Sequence, residues 1–345
     1  MWLANSRNNR FDTLRLLAAL MVLWSHAFPL AGLGHLEPLA RLTGLDTLGG
    51  LGVAIFFVLS GYLLTLSWER KPRALAFALN RVLRIYPALI VLCLLSIGVL
   101  GLSLTPLDAG AYWLHPQTRG YGITATAWKV AYPLPGVFAS NPLPHAVNGS
   151  LWSLPYELRC YVVLVLVAVL PVTMRVKSLL VLVVLGVLFG LRPAGAEVFA
   201  RYYGVDFYHL KLGWFFACGC ALAAWRQHLT GMRLLWIAMV LLLLLIALML
   251  LMKGALLWLT LWTMVACTVI WLANEASWFP QWPGQWGDWS YGVYLYAFPL
   301  QQALAHFGVH KLGLPAYLIT STALAVACGA ISWHLVEKPV MRFKR

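Results

Sequence analysis

The 345-residue chain is short of charge: 10% of its residues are Asp, Glu, Lys or Arg, and only 11 are acidic. A soluble domain carries roughly 25% charged residues. Too little charge is left to cover a water-facing surface, which excludes an ordinary soluble enzyme and a disordered regulator. Cysteine is present without a usable pattern. Cys93, Cys160, Cys218, Cys220, Cys267 and Cys328 all lie inside or at the ends of apolar runs, and none forms a Cys-x-x-Cys pair. Cys218 and Cys220 point to different faces of a helix, so the six read as small buried residues rather than a disulfide framework or a metal site. Internal repeats and low-complexity tracts are absent as well.

What is abundant is apolar sequence. Hydrophobic residues make up 61% of the chain and the mean hydropathy is +0.79. At about 20 apolar residues per membrane span, the sequence predicts an all-α polytopic membrane protein with about ten transmembrane helices, near 11–33, 48–67, 82–104, 151–172, 178–194, 208–226, 233–251, 255–273, 288–307 and 314–336. The first run follows Arg7 and Arg10 but is too long for a signal peptide and carries His26. Lys253-Gly254 splits the 233–273 stretch into a helical hairpin. The longest loop, about 105–150, is rich in Pro, Gly, Tyr and Trp and is expected to pack on the helices.

The net charge of +14 would suggest nucleic acid on a soluble protein, but here the position of the charges matters more. With the N-terminus inside, about two-thirds of the 25 Lys and Arg fall on the cytoplasmic side, from Arg7 and Arg10 to Lys344 and Arg345. Arg41, Arg119, Lys129, Arg192, Arg201, Lys211, Lys253 and Lys311 fall on the other. Both termini are therefore expected to face the cytoplasm, and no nucleic-acid partner is implied. The cluster Arg70, Lys71, Arg73, Arg81 and Arg84 is denser than topology needs. It reads either as contact with anionic lipid headgroups or, with Arg15, as a cytoplasmic phosphate-binding surface.

Ionisable side chains inside a span cost several kcal/mol and mark function by default. Asp12, Arg15 and His26 share the first helix. Eleven residues separate Arg15 from His26, roughly 16 Å along the axis and only about 20° around it, so they lie on one face at two depths. Glu157 enters the fourth span from the opposite side. Its depth, roughly 9 Å from the outer end, matches that of His26 at about 8 Å. A His–carboxylate pair suits a general base, because the acid orients the imidazole and stabilises the imidazolium. An interhelical hydrogen bond for His26 and a structural Glu157–Arg159 network are the bland alternatives. The depths together suggest a phosphorylated donor held at Arg15 whose extended arm, about 15–20 Å long, brings its reactive end to His26. The pantetheine arm of acyl-CoA has that length, and an acceptor hydroxyl would come from outside.

At these positions the sequence resembles the integral-membrane acyltransferase family 3, which O-acetylates cell-surface glycans. The matching pieces are Phe11-Asp12-Thr13-Leu14-Arg15 with His26, Phe56-Phe57-Val58-Leu59-Ser60-Gly61-Tyr62, Arg81-Val82-Leu83-Arg84-Ile85-Tyr86-Pro87, Leu151-Trp152-Ser153-Leu154-Pro155-Tyr156-Glu157, Asp288-Trp289-Ser290-Tyr291-Gly292-Val293-Tyr294-Leu295 and Glu337-Lys338-Pro339. They run in order from the first helix to the last, so residues 1–345 read as one integral-membrane acyltransferase domain of the stand-alone type. The resemblance implies His26 as the catalytic histidine, with Glu157 as the matching acid. It puts Arg15, Arg81 and Arg84 on the donor side, with Ser60 and Gly61 allowing close approach there. Asp12, Trp152, Asp288 and Tyr291 would be supporting residues. Many members carry a histidine after the Tyr-Leu of the ninth helix, where this chain has Tyr296-Ala297-Phe298-Pro299.

The activity expected is transfer of an acyl group, acetyl by expectation, from cytoplasmic acyl-CoA to a sugar hydroxyl of a cell-surface or exopolysaccharide precursor. The co-substrate is acetyl-CoA, the acceptor a glycan or lipid-linked oligosaccharide, and the setting the lipids of a bacterial cytoplasmic (inner) membrane. No permanently bound cofactor and no metal is expected: His306 and His310 have i,i+4 spacing but lack a third ligand. A covalent acyl-His relay and direct transfer both fit. The alternative class is a proton-coupled transporter of a solute or lipid-linked sugar, for which a deep His and Glu would form the relay; paired broken helices in matching halves do not accompany them. Trp282, Trp286 and Trp289 read as an interfacial belt, and His334 as structural. Tyr112, Trp113 and Tyr121 are candidates for sugar stacking, with packing as the competing role.

Overall fold

The computed structural model describes residues 10–191, 206–229, 231–251 and 255–344, and every regular element among them is helical. The long helices are α1 Arg10–Leu30, α2 Leu48–Arg70, α3 Ala74–Leu95, α4 Leu154–Ala168, α5 Met174–Gly190, α6 Phe207–Ala224, α7 Gly231–Leu251, α8 Ala255–Asn274, α9 Ser290–His306 and α10 Leu314–Ser332. Each predicted apolar run is thus helical over most of its described residues. Among the described residues, 7 helical stretches are long and apolar enough to cross a membrane: α1, α2, Ala74–Leu104, Gly149–Ala168, α6, α8 and Leu314–Met341. α5 and α9 are 17 residues each. The Lys253-Gly254 break and the charges Arg7, Arg192, Arg201, Lys253 and Arg345 lie outside the described residues.

Hydropathy located the helices but not their breaks. α3 continues through a π-helical stretch, Ser96–Gly101, to Leu104, and α10 through another, Trp333–Glu337, to Met341. The fourth predicted run opens as a 3-10 turn, Gly149–Ser153, before α4 begins. Pro155 stands in the first turn of α4, where its missing N–H removes no helical bond. α5 exposes Val176, Leu179, Leu180, Val183, Val184 and Val187. An open apolar face of this kind suits lipid, not water.

The chain packs as two compact units. The first takes the described residues within 1–15, 54–77 and 159–282, and the second those within 16–53, 78–158 and 283–345. In the first unit, α5 packs on α6, and α8 on both α6 and α7. α2 meets α6 backbone to backbone: a Cβ on Gly61 would fall 2.1 Å from the Phe216 carbonyl oxygen, and one on Gly219 2.2 Å from that of Val58. Small residues allow this approach between membrane helices, so Gly61 serves helix packing against α6.

In the second unit α9 and α10 pair along their length, with Gly292 against Gly329 at the crossing. The long loop packs as expected, through two one-turn helices and a core of Tyr121, Leu134, Val137, Phe138 and Val147. Tyr112 and Tyr121 are 0% and 1% exposed. The Tyr112 hydroxyl donates to the Ile97 carbonyl at 2.8 Å, inside the π stretch of α3. Both rings are therefore packing residues, which removes them as sugar platforms, while Trp113 stays exposed. Glu37, which hydropathy passed over, is buried. It accepts from the Ala40 and Leu48 amides at 2.7 Å and from Ser25 Oγ at 3.1 Å, tying the start of α2 to α1.

Candidate active site

His26 sits in the second half of α1, within the second unit, half-buried. Its Nδ1 lies 3.3 Å from Ser150 Oγ, and among the described residues Ser150 is its hydrogen-bond partner. The imidazole also stands edge-on to Phe298 of α9, with ring centroids 5.2 Å apart at 79°.

The surroundings follow from two sequence features. Pro299 inside α9 has no N–H, so the Leu295 carbonyl loses its partner one turn on. Asn148 replaces it, donating from Nδ2 to Leu295 O at 2.8 Å while its Oδ1 accepts from the Ser150 amide at 3.1 Å. Asn148 is thus both the cap of the 3-10 turn and the patch over the proline gap. Gly149 is the second feature: a Cβ there would meet the Phe298 ring at 2.6 Å. Only glycine lets that ring reach the histidine. Tyr294 closes the arrangement, its hydroxyl hydrogen-bonded to the Ser150 carbonyl and 2.9 Å from Ser153 Oγ.

Glu157 lies further along the same stretch, half-buried in the first turn of α4 and within electrostatic reach of Tyr294. Trp152 packs edge-on to Tyr156 beside it. Arg159 belongs to the first unit, where NH1 meets His209 Nε2. His209 in turn forms a capping box with Asp206 at the start of α6.

A second polar cluster of the second unit is built on Arg84 of α3. NH1 reaches Glu337 Oε2 and NH2 reaches Asp288 Oδ2, each at 2.6 Å. The guanidinium carbon lies 5.4 Å from the Tyr291 ring centre and 5.8 Å from that of Trp333. Ser332 Oγ donates to the other Glu337 oxygen at 3.1 Å, and Ser290 to the other Asp288 oxygen. Tyr291 donates its hydroxyl to the Ile85 carbonyl at 2.9 Å. Asp288 and Tyr291, of one motif, and Glu337, of another, are brought together here around Arg84. Arg81 stands one turn earlier on α3, half-buried.

The first unit holds the remaining predicted residues. Arg15 NH1 lies 3.6 Å from Asp12 Oδ1 on α1, and Ser60 sits partly exposed on α2 beside Gly61. Phe11 stacks on Tyr62 at 5.8 Å. Tyr62 lines a small cleft with Arg226, Asn274 and Glu275, and Arg226 pairs with Glu69 at 2.7 Å. Elsewhere Trp286 and Trp289 stack at 5.8 Å, His334 stands edge-on to Trp289, and His306 and His310 pack on Phe138 and Tyr317 respectively.

Ser150, Asn148, Tyr294 and Glu337 were not picked out as site residues by sequence reasoning, although Tyr294 and Glu337 fall in quoted motifs and Asn148 and Ser150 stand just before another. Pro299 was the one available signal, because it announces a carbonyl in α9 that needs an outside donor.

The acyltransferase-domain family model matches residues 8–334. An O-acetyl transferase of Shigella phage Sf6 is 32% identical over 337 residues, covering 96% of each chain. Nodulation protein 10 of Rhizobium leguminosarum bv. viciae is 30% identical, covering 99% of this chain and 95% of the relative. No solved structure matches. The chain belongs to the integral-membrane acyltransferase family 3: it is an integral membrane acyltransferase, and its relatives support membrane O-acetylation as its work.

Proposed function

We propose that the protein transfers an acetyl group from cytoplasmic acetyl-CoA to a sugar hydroxyl of a cell-surface or exopolysaccharide precursor, in the bacterial inner membrane with both termini cytoplasmic. The observation that carries the reading is His26: a half-buried imidazole deep in a span, held through Nδ1 alone among the described residues. Nε2 is left for the substrate hydroxyl. In the reaction Nε2 takes the hydroxyl proton as the oxygen attacks the thioester carbonyl. The C–S bond breaks, and the proton passes to the departing thiolate, giving the sugar ester and free CoA. Glu157, from the same stretch as Ser150, balances the imidazolium charge. Donor phosphates are assigned to Arg15 and Arg81, with Ser60 and Arg84 on the donor side and Asp12 and Trp152 supporting.

The test is purified protein with radiolabelled acetyl-CoA and a bacterial glycan extract, His26→Ala beside wild type. Donor binding kept with turnover lost supports the reading. Turnover unchanged in the variant removes His26 from the chemistry, and wild type that binds no acetyl-CoA removes the donor assignment.

A further inference from the structure

We propose that Ser150 is the residue that sets the tautomer of His26, by accepting a hydrogen bond from Nδ1–H and so leaving the Nε2 lone pair bare for the acceptor hydroxyl. The inference rests on the reading of His26 as base and assigns its orientation to a neutral hydroxyl rather than to the Glu157 carboxylate.

Three observations carry it. The first is the contact itself, Nδ1 to Oγ at 3.3 Å, from a serine that is 0% exposed. The second is how firmly that oxygen is placed. The Ser150 amide is held by Asn148 and its carbonyl by Tyr294. Asn148 is in turn anchored on the Leu295 carbonyl that Pro299 leaves open, and Gly149 seats the turn on Phe298. This framework fixes one hydroxyl against one ring nitrogen. The third is the choice of proton position. A neutral imidazole with a single protein partner either donates to it from Nδ1, leaving a bare lone pair at Nε2, or accepts from it, leaving an N–H at Nε2. Of the two, a base acting through Nε2 requires the proton on Nδ1, with the Ser150 oxygen as acceptor. Ser150 is thereby a positioning residue: it acts through His26 and touches neither substrate.

The experiment reads the tautomer directly. Nitrogen-15 spectra of detergent-solubilised protein labelled at histidine are recorded for wild type, Ser150→Ala and Ser150→Thr, with the His26 signal identified by its loss in His26→Gln. Wild type is expected to carry its proton on Nδ1, Ser150→Thr to keep it there, and Ser150→Ala to shift toward Nε2–H. With acetyl-CoA as donor, Ser150→Ala is expected to lower kcat by roughly 10–100-fold while the donor KM stays within about twofold. Wild type protonated on Nε2, or Ser150→Ala leaving both tautomer and kcat unchanged, overturns the proposal. The spectra do not depend on turnover, so an unreactive His26 would refute the base reading separately.

Discussion

The two polar clusters of the second unit keep their groups out of lipid by opposite means. Around His26 the partners are neutral: a serine hydroxyl, an asparagine amide, a tyrosine hydroxyl and an aromatic edge. Around Arg84 they are charged, with one guanidinium shared by two carboxylates and flanked by two rings. The neutral cluster spends one nitrogen of the imidazole and leaves the other. The charged cluster engages both ends of the guanidinium and the second oxygens of both acids. An incompletely used group is suited to chemistry, and a fully engaged one to holding helices together. On this comparison Arg84 joins α3 to the start of α9 and to the stretch that extends α10.

The comparison is broken most sharply by His26→Ala, for which we expect a loss of about 10²–10⁴ in turnover with an unchanged unfolding temperature. A large fall in thermal stability would instead make His26 a packing residue. Arg84→Met should do the reverse. It strands two acids in a membrane protein's interior, a cost of about 3–5 kcal/mol, read as a lower unfolding temperature in detergent. Adding Asp288→Asn and Glu337→Gln should restore most of that loss. If Arg84 served the donor alone, stability would hold and only the acetyl-CoA KM would rise. Asn148→Ala should cost about 1–3 kcal/mol by orphaning the Leu295 carbonyl. The same change in a Pro299→Ala background should cost less, since the new amide can take that carbonyl; equal costs in the two backgrounds would disprove the pairing. Tyr294→Phe is the mildest, about 1 kcal/mol, because Asn148 still holds the turn from its other end.

Much of this was legible in the chain, for reasons that differ from residue to residue. Long apolar runs report helices because a span must satisfy its own backbone, and each predicted run is helical over most of its described residues. The two π stretches left no trace, since one extra residue in a turn does not change hydropathy. Asp288, Tyr291 and Glu337-Lys338-Pro339 were visible as motifs, but their meeting at Arg84 was not. Its acids lie 204 and 253 residues away in the chain, and no local pattern encodes such a distance. His26 stood out because a titratable group in a span is costly. Ser150 did not, because a serine in an apolar helix costs little and is common.

The crossing of α2 and α6 at Gly61 also has a bearing on how the chain is made. Cys220 Sγ, on α6, donates to the Gly61 carbonyl across 159 residues of sequence. At about 5–20 residues per second, roughly ten to thirty seconds pass between synthesis of the glycine and arrival of the backbone that fills its notch. Throughout that interval α2 stands in the bilayer with a bare stripe of main chain facing lipid or some temporary neighbour. The order of translation therefore sets a waiting time into the assembly of the first unit, and the glycine that shapes the finished contact also marks a surface that stays open while it runs.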